Sequence, residues 1–220
     1  HDQLRKLDFL EKYVHVSTPE VYGSTDDWVT ESFNFLPSTP YAVSRAACDL
    51  HLRSFYEAYG FPVVFTRAAN VYGPGQQLFR IIPKTMLSCR LGRRLPLQGG
   101  GRSVRNFIHV ADVSAATLLL ARCGDVGATY HLAGREVGTI RELVELICRM
   151  AEVDPGDVVD ETPDRIGRDQ SYLLDSKKIR DQLGWADQIE LNDGLESTLS
   201  WIDHNLGILE KFPTEYIHKE

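Results

Sequence analysis

The sequence predicts an α/β fold with a parallel sheet. Two short apolar runs, Tyr13–Ser17 and Phe61–Arg67, have the β-branched and aromatic content of buried strands. Between them, a hydroxyl followed by proline at Thr39 and Pro40 predicts the start of a helix, and Gly60 predicts its end. A strand, a helix and a strand in this order favour a right-handed crossover between two parallel strands.

The remaining elements follow from periodicity and from turn residues. Further helices are predicted over Ile81–Leu91, Ala111–Ala121, Ile140–Met150, Ser176–Leu183 and Leu191–Leu209. Further extended segments are predicted over Leu95–Gln98, Val104–Ile108 and Thr129–Leu132. The first ten residues place Leu4, Leu7 and Leu10 on one side, which predicts the end of a helix.

Composition excludes several classes of function. The formal net charge of −7 argues against a nucleic-acid-binding protein, which usually presents a basic face. No apolar run approaches the roughly 20 residues of a membrane span, and the first residues lack the apolar centre of a signal peptide. The four cysteines have no metal-ligand spacing, so we expect reduced thiols in a cytoplasmic protein that holds no metal.

A polar motif lies where the first strand ends. Ser17 and Thr18 close the strand, and Glu20 follows within the same turn. Ligands of parallel sheets gather outside the carboxyl ends of the strands, so these side chains are placed to meet a substrate. Hydroxyls there can hydrogen-bond a reacting oxygen, and a carboxylate can remove a proton. The alternatives are a capping turn and a solvated loop glutamate.

A tyrosine and a cation open the next helix. Tyr41 and Arg45 are four residues apart, and such side chains share one face of a helix. A fixed cation favours the phenolate form of a nearby tyrosine, which can then accept a proton from an alcohol. An exposed pair on an amphipathic helix is the alternative interpretation.

Five segments in order resemble one enzyme family: Ser17–Gly23, Ser38–Arg45, Asn70–Pro74, Val104–Val113 and Asp164–Tyr172. They are similar to the motifs of the extended short-chain dehydrogenases/reductases, the NAD-dependent epimerase/dehydratase family. Within it they most resemble the group that contains dTDP-glucose 4,6-dehydratase. The resemblance covers essentially the whole chain.

The resemblance implies a fold and a division into two domains with different functions. It implies the C-terminal part of a Rossmann-type doubly wound parallel sheet, with a smaller α/β substrate-binding domain. Residues 1–74 would be the remainder of the NAD-binding domain and would carry the catalytic residues. Residues 75–220 would form mainly the substrate domain, with some segments returning to the sheet. We expect the N-terminal glycine-rich turn of the NAD-binding domain to be absent, because the run Gly99–Gly101 precedes no predicted helix.

The resemblance also implies roles for individual residues. The resemblance implies that Thr18 and Tyr41 act at C4 of a nucleotide-diphosphate sugar, with Arg45 in the place of the family's lysine. Glu20 matches the base that removes the C5 proton. Ser17, Tyr41 and Arg45 would contact NAD. The substrate nucleotide would be held by four side chains, namely Asn70, Gln98, Arg105 and Arg165, of which the arginines suit phosphate because a guanidinium meets two oxygens at once.

Two departures keep alternatives open. Pro19 stands where dTDP-glucose dehydratases have an aspartate that helps expel the C6 hydroxyl, and where GDP-mannose dehydratases have serine. Arg45 is not a conservative replacement for lysine. A nucleotide-sugar 4,6-dehydratase is therefore the main hypothesis. The alternatives are a 4-epimerase, a decarboxylase, or a catalytically impaired homologue that binds nucleotide sugar.

Other residues receive structural interpretations. The helix face of Leu52, Phe55, Tyr56 and Tyr59 resembles the one that forms a two-fold homodimer in this family. His15, inside the first strand, is interpreted as a satisfied core residue, and Asp112 as a residue of a helix N-terminus.

Overall fold

The structure is a computed structural model, and it describes residues 1–25, 27–163 and 173–216. Over these residues the strands are, in chain order, β1 (Tyr13–Val16), β2 (Trp28–Val29), β3 (Val63–Ala68), β4 (Asn70–Tyr72), β5 (Leu95–Gln98), β6 (Val104–His109), β7 (Thr129–Leu132), β8 (Val137–Thr139), β9 (Val159–Thr162) and β10 (Leu173–Leu174). The helices are α1 (Pro40–Tyr59), α2 (Ile81–Leu91), α3 (Val110–Cys123), α4 (Ile140–Met150), α5 (Pro155–Val158), α6 (Lys177–Leu183) and α7 (Leu191–Leu209). Short 3₁₀ turns occupy Leu4–Lys6, Pro19–Tyr22 and Gly99–Gly101.

The chain forms two compact units, each taken over its described residues. The first unit comprises His1–Val71, Arg105–Arg135 and Gly167–Gln188. The second unit comprises Tyr72–Val104, Glu136–Ile166 and Ile189–Glu220. None of the helices in the described stretches has both the length and the apolar character needed to cross a bilayer.

A parallel sheet organises the first unit. Strand β3 lies in the middle, with β1 on one side and β7 on the other. His15 stands opposite Phe65, and Phe65 stands opposite Thr129. The predicted strand–helix–strand order and the parallel pairing of its strands are thereby confirmed. Because all three strands run the same way, their carboxyl ends meet at one edge.

Helix α1 follows the predicted boundaries because both ends are capped. The Thr39 hydroxyl accepts a hydrogen bond from the backbone N–H of Ala42, and Pro40 takes the first helical position. Gly60 ends the helix in a left-handed conformation, with φ 65°. The buried face of the helix consists of Ala42, Ala46, Asp49 and Leu52.

The burial of Leu52 corrects one expectation. The sequence placed Leu52 on the helix face that would meet a second subunit, but its side chain is fully buried beside Phe61 and Phe65 in the chain's own core. The large apolar side chains that α1 leaves exposed are Tyr41, Val43, Leu50, Tyr56 and Tyr59.

The second unit has its own core. Strands β5 and β9 pair in parallel, and α2 packs against both α4 and α7. Helix α4 begins with a capping box, in which the Thr139 hydroxyl accepts from the Glu142 N–H at 3.1 Å and the Glu142 carboxylate accepts from the Thr139 N–H at 2.7 Å.

All four cysteines are free thiols, as predicted. Cys89 and Cys148 are buried in the core of the second unit, with their sulfur atoms 3.8 Å apart. Burial, reinforced by the neighbouring Cys148, raises the pKa of Cys89 to about 12, which keeps this thiol protonated and inert.

Some elements of the structure differ from those predicted from the sequence. Strands β2 and β10 are two residues each and pair across a long stretch of chain, so neither shows a local periodicity. The first residues form only a 3₁₀ turn at Leu4–Lys6 rather than the end of an α-helix. In this turn the side chains of Arg5 and Lys6 form ion pairs with Asp2.

Candidate active site

Three loops leave the sheet at its carboxyl edge. The N–H of Ser17 donates to the Thr66 carbonyl at 2.8 Å, which extends β1 by one residue against β3. The N–H of Ala69 donates to the Leu132 carbonyl, also at 2.8 Å, and does the same between β3 and β7. The predicted motif after β1 and the asparagine after β3 therefore start from the same edge.

Residues Ser17–Gly23 form a capped turn. Thr18 accepts a hydrogen bond from the Glu20 N–H at 3.3 Å and is 7% exposed. Pro19 is buried at the first position of the turn, where its missing N–H costs no hydrogen bond. Gly23 ends the turn at φ 73°, and a Cβ there would lie 2.3 Å from the Leu36 carbonyl oxygen. Glu20 is half-buried in the middle of this turn.

The predicted proton-transfer pair lies on the first turns of α1. The ring of Tyr41 is 54% exposed, so its phenol is accessible from solvent. Arg45 is half-buried, and its Nη2 donates to the backbone carbonyl of Val16, the last residue of β1. This bond brings the α1 cation against the residue that precedes Ser17 and Thr18.

The predicted cofactor contact Ser17 has a partner within the protein. Its hydroxyl donates to Oδ2 of Asp49 at 2.9 Å. Asp49 also accepts from His15 Nε2 at 2.9 Å and from Arg67 Nη2 at 2.8 Å, and both Asp49 and Arg67 are fully buried. The interpretation of His15 as a satisfied core residue is therefore confirmed.

Several donors compensate the buried charge of Asp49. Burial alone would raise the pKa of Asp49, but hydrogen bonds from His15 and Arg67, together with the Arg67 charge, hold it below its ordinary value. The carboxylate is therefore ionised at neutral pH, and Arg67 balances its charge inside the sheet.

The second guanidinium nitrogen of Arg67 contacts Tyr22, at the end of the turn Pro19–Tyr22. Its Nη1 donates to the Tyr22 hydroxyl and, at 2.9 Å, to the Ser32 carbonyl. The Tyr22 hydroxyl lies 2.8 Å from His131 Nε2, and His131 Nδ1 lies 3.1 Å from the Asp175 carbonyl. Burial, and then the charge of Arg67, lowers the pKa of His131 to about 3, so this imidazole is neutral at physiological pH.

Asp49, Arg67 and Tyr22 belong to this site but were not predicted from the sequence. A signal was available for the first two. Asp49 falls at helical spacing in the apolar stripe of α1, and Arg67 closes an otherwise apolar strand. A carboxylate and a guanidinium at positions that must be buried predict each other as partners.

The predicted phosphate ligand Asn70 lies after β3. Its amide donates to the Asn106 carbonyl at 3.0 Å. The Asn106 side chain in turn donates to the Gly134 carbonyl at 2.8 Å and accepts from the Gly134 N–H at 3.0 Å. Asn106 thereby links β6 to Gly134, the second residue after β7.

The remaining predicted substrate residues lie in separate places. Arg105 is buried in β6 of the first unit. Gln98 is half-buried at the end of β5 in the second unit, opposite Thr162 of β9. Arg165 lies outside the described residues. Asp112 takes the expected place in the first turn of α3, where its carboxylate also accepts from the Gln188 N–H at 3.0 Å.

An arginine braces the glycine turn that follows Gln98. Arg141 Nε donates to the Gly100 carbonyl at 2.9 Å, and its guanidinium pairs with Glu161 of β9. The backbone N–H of Arg141 is so close to Gly101 that a Cβ there would lie 2.9 Å from it. This turn therefore depends on α4 for its conformation.

Known proteins resemble this chain over most of its length. A family model described as GDP-mannose 4,6 dehydratase matches residues 3–198. A dTDP-glucose 4,6-dehydratase from Streptomyces niveus is 37% identical over 198 residues, which are 89% of this chain and 58% of that protein. A trifunctional UDP-glucose 4,6-dehydratase, epimerase and reductase from Arabidopsis thaliana is 32% identical over 89% of this chain and 30% of its own length.

The fold is likewise shared with solved structures. The crystal structure of a dTDP-glucose 4,6-dehydratase from Streptomyces venezuelae, with NAD and TYD bound, has a TM-score of 0.86 at 38% identity. The match covers 89% of this chain and 61% of that one. The chain thus spans less than two thirds of these relatives, and the expected Rossmann-type α/β fold class is confirmed. It belongs to the GDP-mannose 4,6 dehydratase family, within the NAD-dependent epimerase/dehydratases that its motifs resemble.

Proposed function

We propose that the protein is an NAD-dependent nucleotide-sugar 4,6-dehydratase. It would oxidise C4 of the sugar, eliminate water across C5 and C6, and return the hydrogen to C6. The observation that carries the proposal is the hydrogen bond from Arg45 to the Val16 carbonyl. It joins the helix turn that bears Tyr41 and Arg45 to the strand end that bears Ser17 and Thr18.

The groups at this edge suit the cofactor. The Nε of Arg45 is buried with no acceptor among the described residues, and Tyr41 presents its phenol to solvent. A ligand rich in hydroxyls would satisfy such a donor, as the ribose of NAD does. NAD, when bound, supplies an acceptor for the hydrogen and electron pair that leave C4, and later gives them back at C6.

The first step requires a base at the C4 hydroxyl. Tyr41 takes the hydroxyl proton, and Thr18 hydrogen-bonds the same oxygen as it becomes a ketone. Arg45, one helical turn from Tyr41, contributes its positive charge to the site in which this transfer takes place. Ser17 contributes by holding the strand end in place.

The second step is the loss of water. Once C4 is a ketone, the C5 proton is acidic, and the carboxylate of Glu20 takes it. The C6 hydroxyl then leaves and needs a proton to become water. Because Pro19 has none to give, we assign that proton to solvent. The hydrogen taken from C4 goes to C6, and C5 regains a proton from Glu20.

The nucleotide would be held by the predicted polar side chains. Asn70 and Arg105 are proposed as ligands of the diphosphate, and Gln98 as a contact of the base. Arg165 is proposed as a second arginine on the diphosphate. A protein with a net charge of −7 needs local cations to bind a dianion.

We also propose a cytoplasmic homodimer. Residues 1–74 would carry catalysis, and residues 75–220 would mainly bind substrate. The exposed aromatic and aliphatic side chains of α1 support a subunit contact on that helix. Light scattering of the purified protein, with Leu50→Lys as the variant that should dissociate it, tests the dimer.

The test of the reaction is product formation from a set of donors. The full-length protein is incubated with NAD and with the glucose or mannose derivatives of dTDP, UDP and GDP. Formation of a 4-keto-6-deoxy sugar, seen by its alkali-dependent absorbance and by mass, is the expected result. No such product from any donor would overturn the proposal.

Pro19 favours a second candidate, an impaired homologue that binds nucleotide sugar without dehydrating it. This candidate predicts binding by calorimetry with no product in the same assay. An epimerase would instead yield an isomer of unchanged mass. A product lighter than the donor by one water excludes both of these alternatives.

A further inference from the structure

One buried ion pair holds both ends of the segment Ser17–Gly23. We propose that Asp49 and Arg67 are positioning residues that clamp this segment and thereby place Thr18 and Glu20. The roles of Thr18 and Glu20 rest on the proposed function, whereas the clamp rests on the contacts alone.

The first anchor is Ser17. Its hydroxyl donates to Asp49 Oδ2 at 2.9 Å, from the residue directly before Thr18. Asp49 lies two helical turns beyond Tyr41, so this bond also fixes α1 against the end of β1. His15 and Arg67 occupy further acceptor positions of the carboxylate, which leaves it little freedom to turn.

The second anchor is Tyr22. Arg67 reaches Asp49 with Nη2 and the Tyr22 hydroxyl with Nη1, so a single planar guanidinium joins both anchors. A guanidinium is rigid, and its donors diverge at fixed angles. The distance between Ser17 and Tyr22 is therefore set by the Asp49–Arg67 pair.

The direction of each hydrogen bond can be assigned. The Asp175 carbonyl can only accept, so His131 Nδ1 carries the proton and Nε2 is an acceptor. The Tyr22 hydroxyl consequently donates to His131 and accepts from Arg67. Each of these hydrogen bonds therefore has one direction. If the Tyr22 side chain turned away, a buried polar group would be left without a partner.

Between the anchors the segment is short. Thr18 follows Ser17 directly, and Glu20 lies two residues before Tyr22. Thr18 also caps the turn that contains Glu20. Release of Ser17 should therefore disturb mainly Thr18, and release of Tyr22 should disturb mainly Glu20.

The experiment compares Ser17→Ala with Tyr22→Phe in the full-length protein. Oxidation at C4 is followed in a single turnover by the absorbance of the reduced nicotinamide. Proton removal at C5 is followed separately, by deuterium uptake from heavy water into 4-keto-6-deoxy sugar that is supplied as such, because this sugar already has the C4 ketone and needs no prior oxidation. Ser17→Ala should slow C4 oxidation about tenfold or more with C5 exchange little changed, and Tyr22→Phe should do the reverse, because small misplacements are costly.

Control variants remove buried, hydrogen-bonded hydroxyls elsewhere in the first unit. Tyr130 is fully buried and bonds Asp125, and Ser176 is buried and donates to the Ala133 carbonyl. Tyr130→Phe and Ser176→Ala should leave both rates within about twofold of the parent. If all four variants slow both steps alike, the effect is general destabilisation and the clamp is overturned.

Backbone amide hydrogen exchange over residues 17–23 tests the clamp without any substrate. Exchange should become severalfold faster in Ser17→Ala and Tyr22→Phe and stay unchanged in the controls. Unchanged exchange in all four variants would overturn the clamp, whatever the activity. Faster exchange in a protein that forms no product would overturn the proposed function while supporting the clamp.

Discussion

Arg45 donates a hydrogen bond from its guanidinium to the backbone carbonyl of Val16, one residue before the motif that begins at Ser17. The first turns of α1, which carry Tyr41, are thereby tied to the end of β1. An arginine holds its donors in a rigid planar fork, whereas the three donors of a lysine sit on one rotating ammonium. The longer, planar side chain of this protein combines a tether with a positive charge.

The charge of Arg45 should matter more than its shape. Arg45→Gln is expected to lower kcat about 10²-fold or more, because the positive charge one helical turn from the proton-accepting Tyr41 is lost. Arg45→Lys should stay within about tenfold of the parent, since it keeps the charge. Steady-state kinetics of both variants check this. A glutamine variant as active as the lysine variant would contradict the role of the charge.

The buried imidazole of His131 predicts an acid-sensitive stability. Its pKa is about 3 in the folded protein, against 6.5 for an unperturbed histidine. Between these values the unfolded chain binds a proton that the folded chain does not, so stability falls as the pH drops below about 6. The expected slope from this group is about 1.4 kcal/mol per pH unit.

Urea unfolding of the parent and of His131→Gln at several pH values isolates this contribution. Glutamine does not titrate, so the difference between the two proteins should grow smaller as the pH falls from 6.5 towards 4. A constant difference over this range would show that His131 takes up its proton alike in the folded and the unfolded protein, so that burial does not lower its pKa. Glu31, whose pKa is raised by burial, titrates in both proteins and cancels in the comparison.

Two glycines with positive φ offer a comparison: Gly60 has the left-handed αL conformation, with ψ 24°, and Gly23 has ψ −161°. Gly23 and Gly60 have φ of 73° and 65°, but a Cβ at Gly23 would meet the Leu36 carbonyl oxygen at 2.3 Å, whereas no atom lies within 4 Å of one at Gly60. Gly60→Ala should cost about 1–2 kcal/mol from backbone strain alone. Gly23→Ala should cost about 1–3 kcal/mol more, from the added overlap. Equal losses in chemical unfolding would show that the turn can relax.

Arg141 should affect substrate affinity through the turn that follows Gln98. Arg141→Gln removes the donor to the Gly100 carbonyl and the pair with Glu161, so the KM for the nucleotide sugar should rise severalfold with kcat unchanged. Arg94 makes similar contacts to the backbone and to Asp160 at the other end of the same strand pair. Arg94→Gln should therefore leave the KM unchanged, and an equal rise in both variants would refute the link to Gln98.

Much of the fold could be predicted because its signals are local. Helix α1 carries its own start at Thr39 and its own stop at Gly60, and helices α2, α4 and α7 match the predicted boundaries. Strand β2 could not be predicted, because its partner Leu173–Leu174 lies far along the chain and each strand has only two residues. Short strands of this kind depend on tertiary pairing rather than on pattern.

The candidate site, like the fold, could be predicted only in part from the sequence. Thr18, Glu20, Tyr41 and Arg45 stand in recognisable motifs, but the partner of Ser17 is Asp49, on a helix that follows much later. Sequence spacing alone does not show that Asp49, Arg67 and Tyr22 meet inside the sheet. Their contact depends on the parallel register of β1 and β3. The expectation that Ser17 contacts NAD stays a prediction, now with its hydroxyl proton committed to Asp49.

The most direct test of the account is the rate of C4 oxidation by Tyr41→Phe in the full-length protein with its best nucleotide sugar. The ring of Tyr41 is exposed, so the loss of its hydroxyl should leave the fold and the binding of substrate intact. The account predicts that kcat falls about 10²–10⁴-fold while the dissociation constant of the nucleotide sugar changes little. A phenylalanine variant that oxidises its substrate at the parental rate would contradict it.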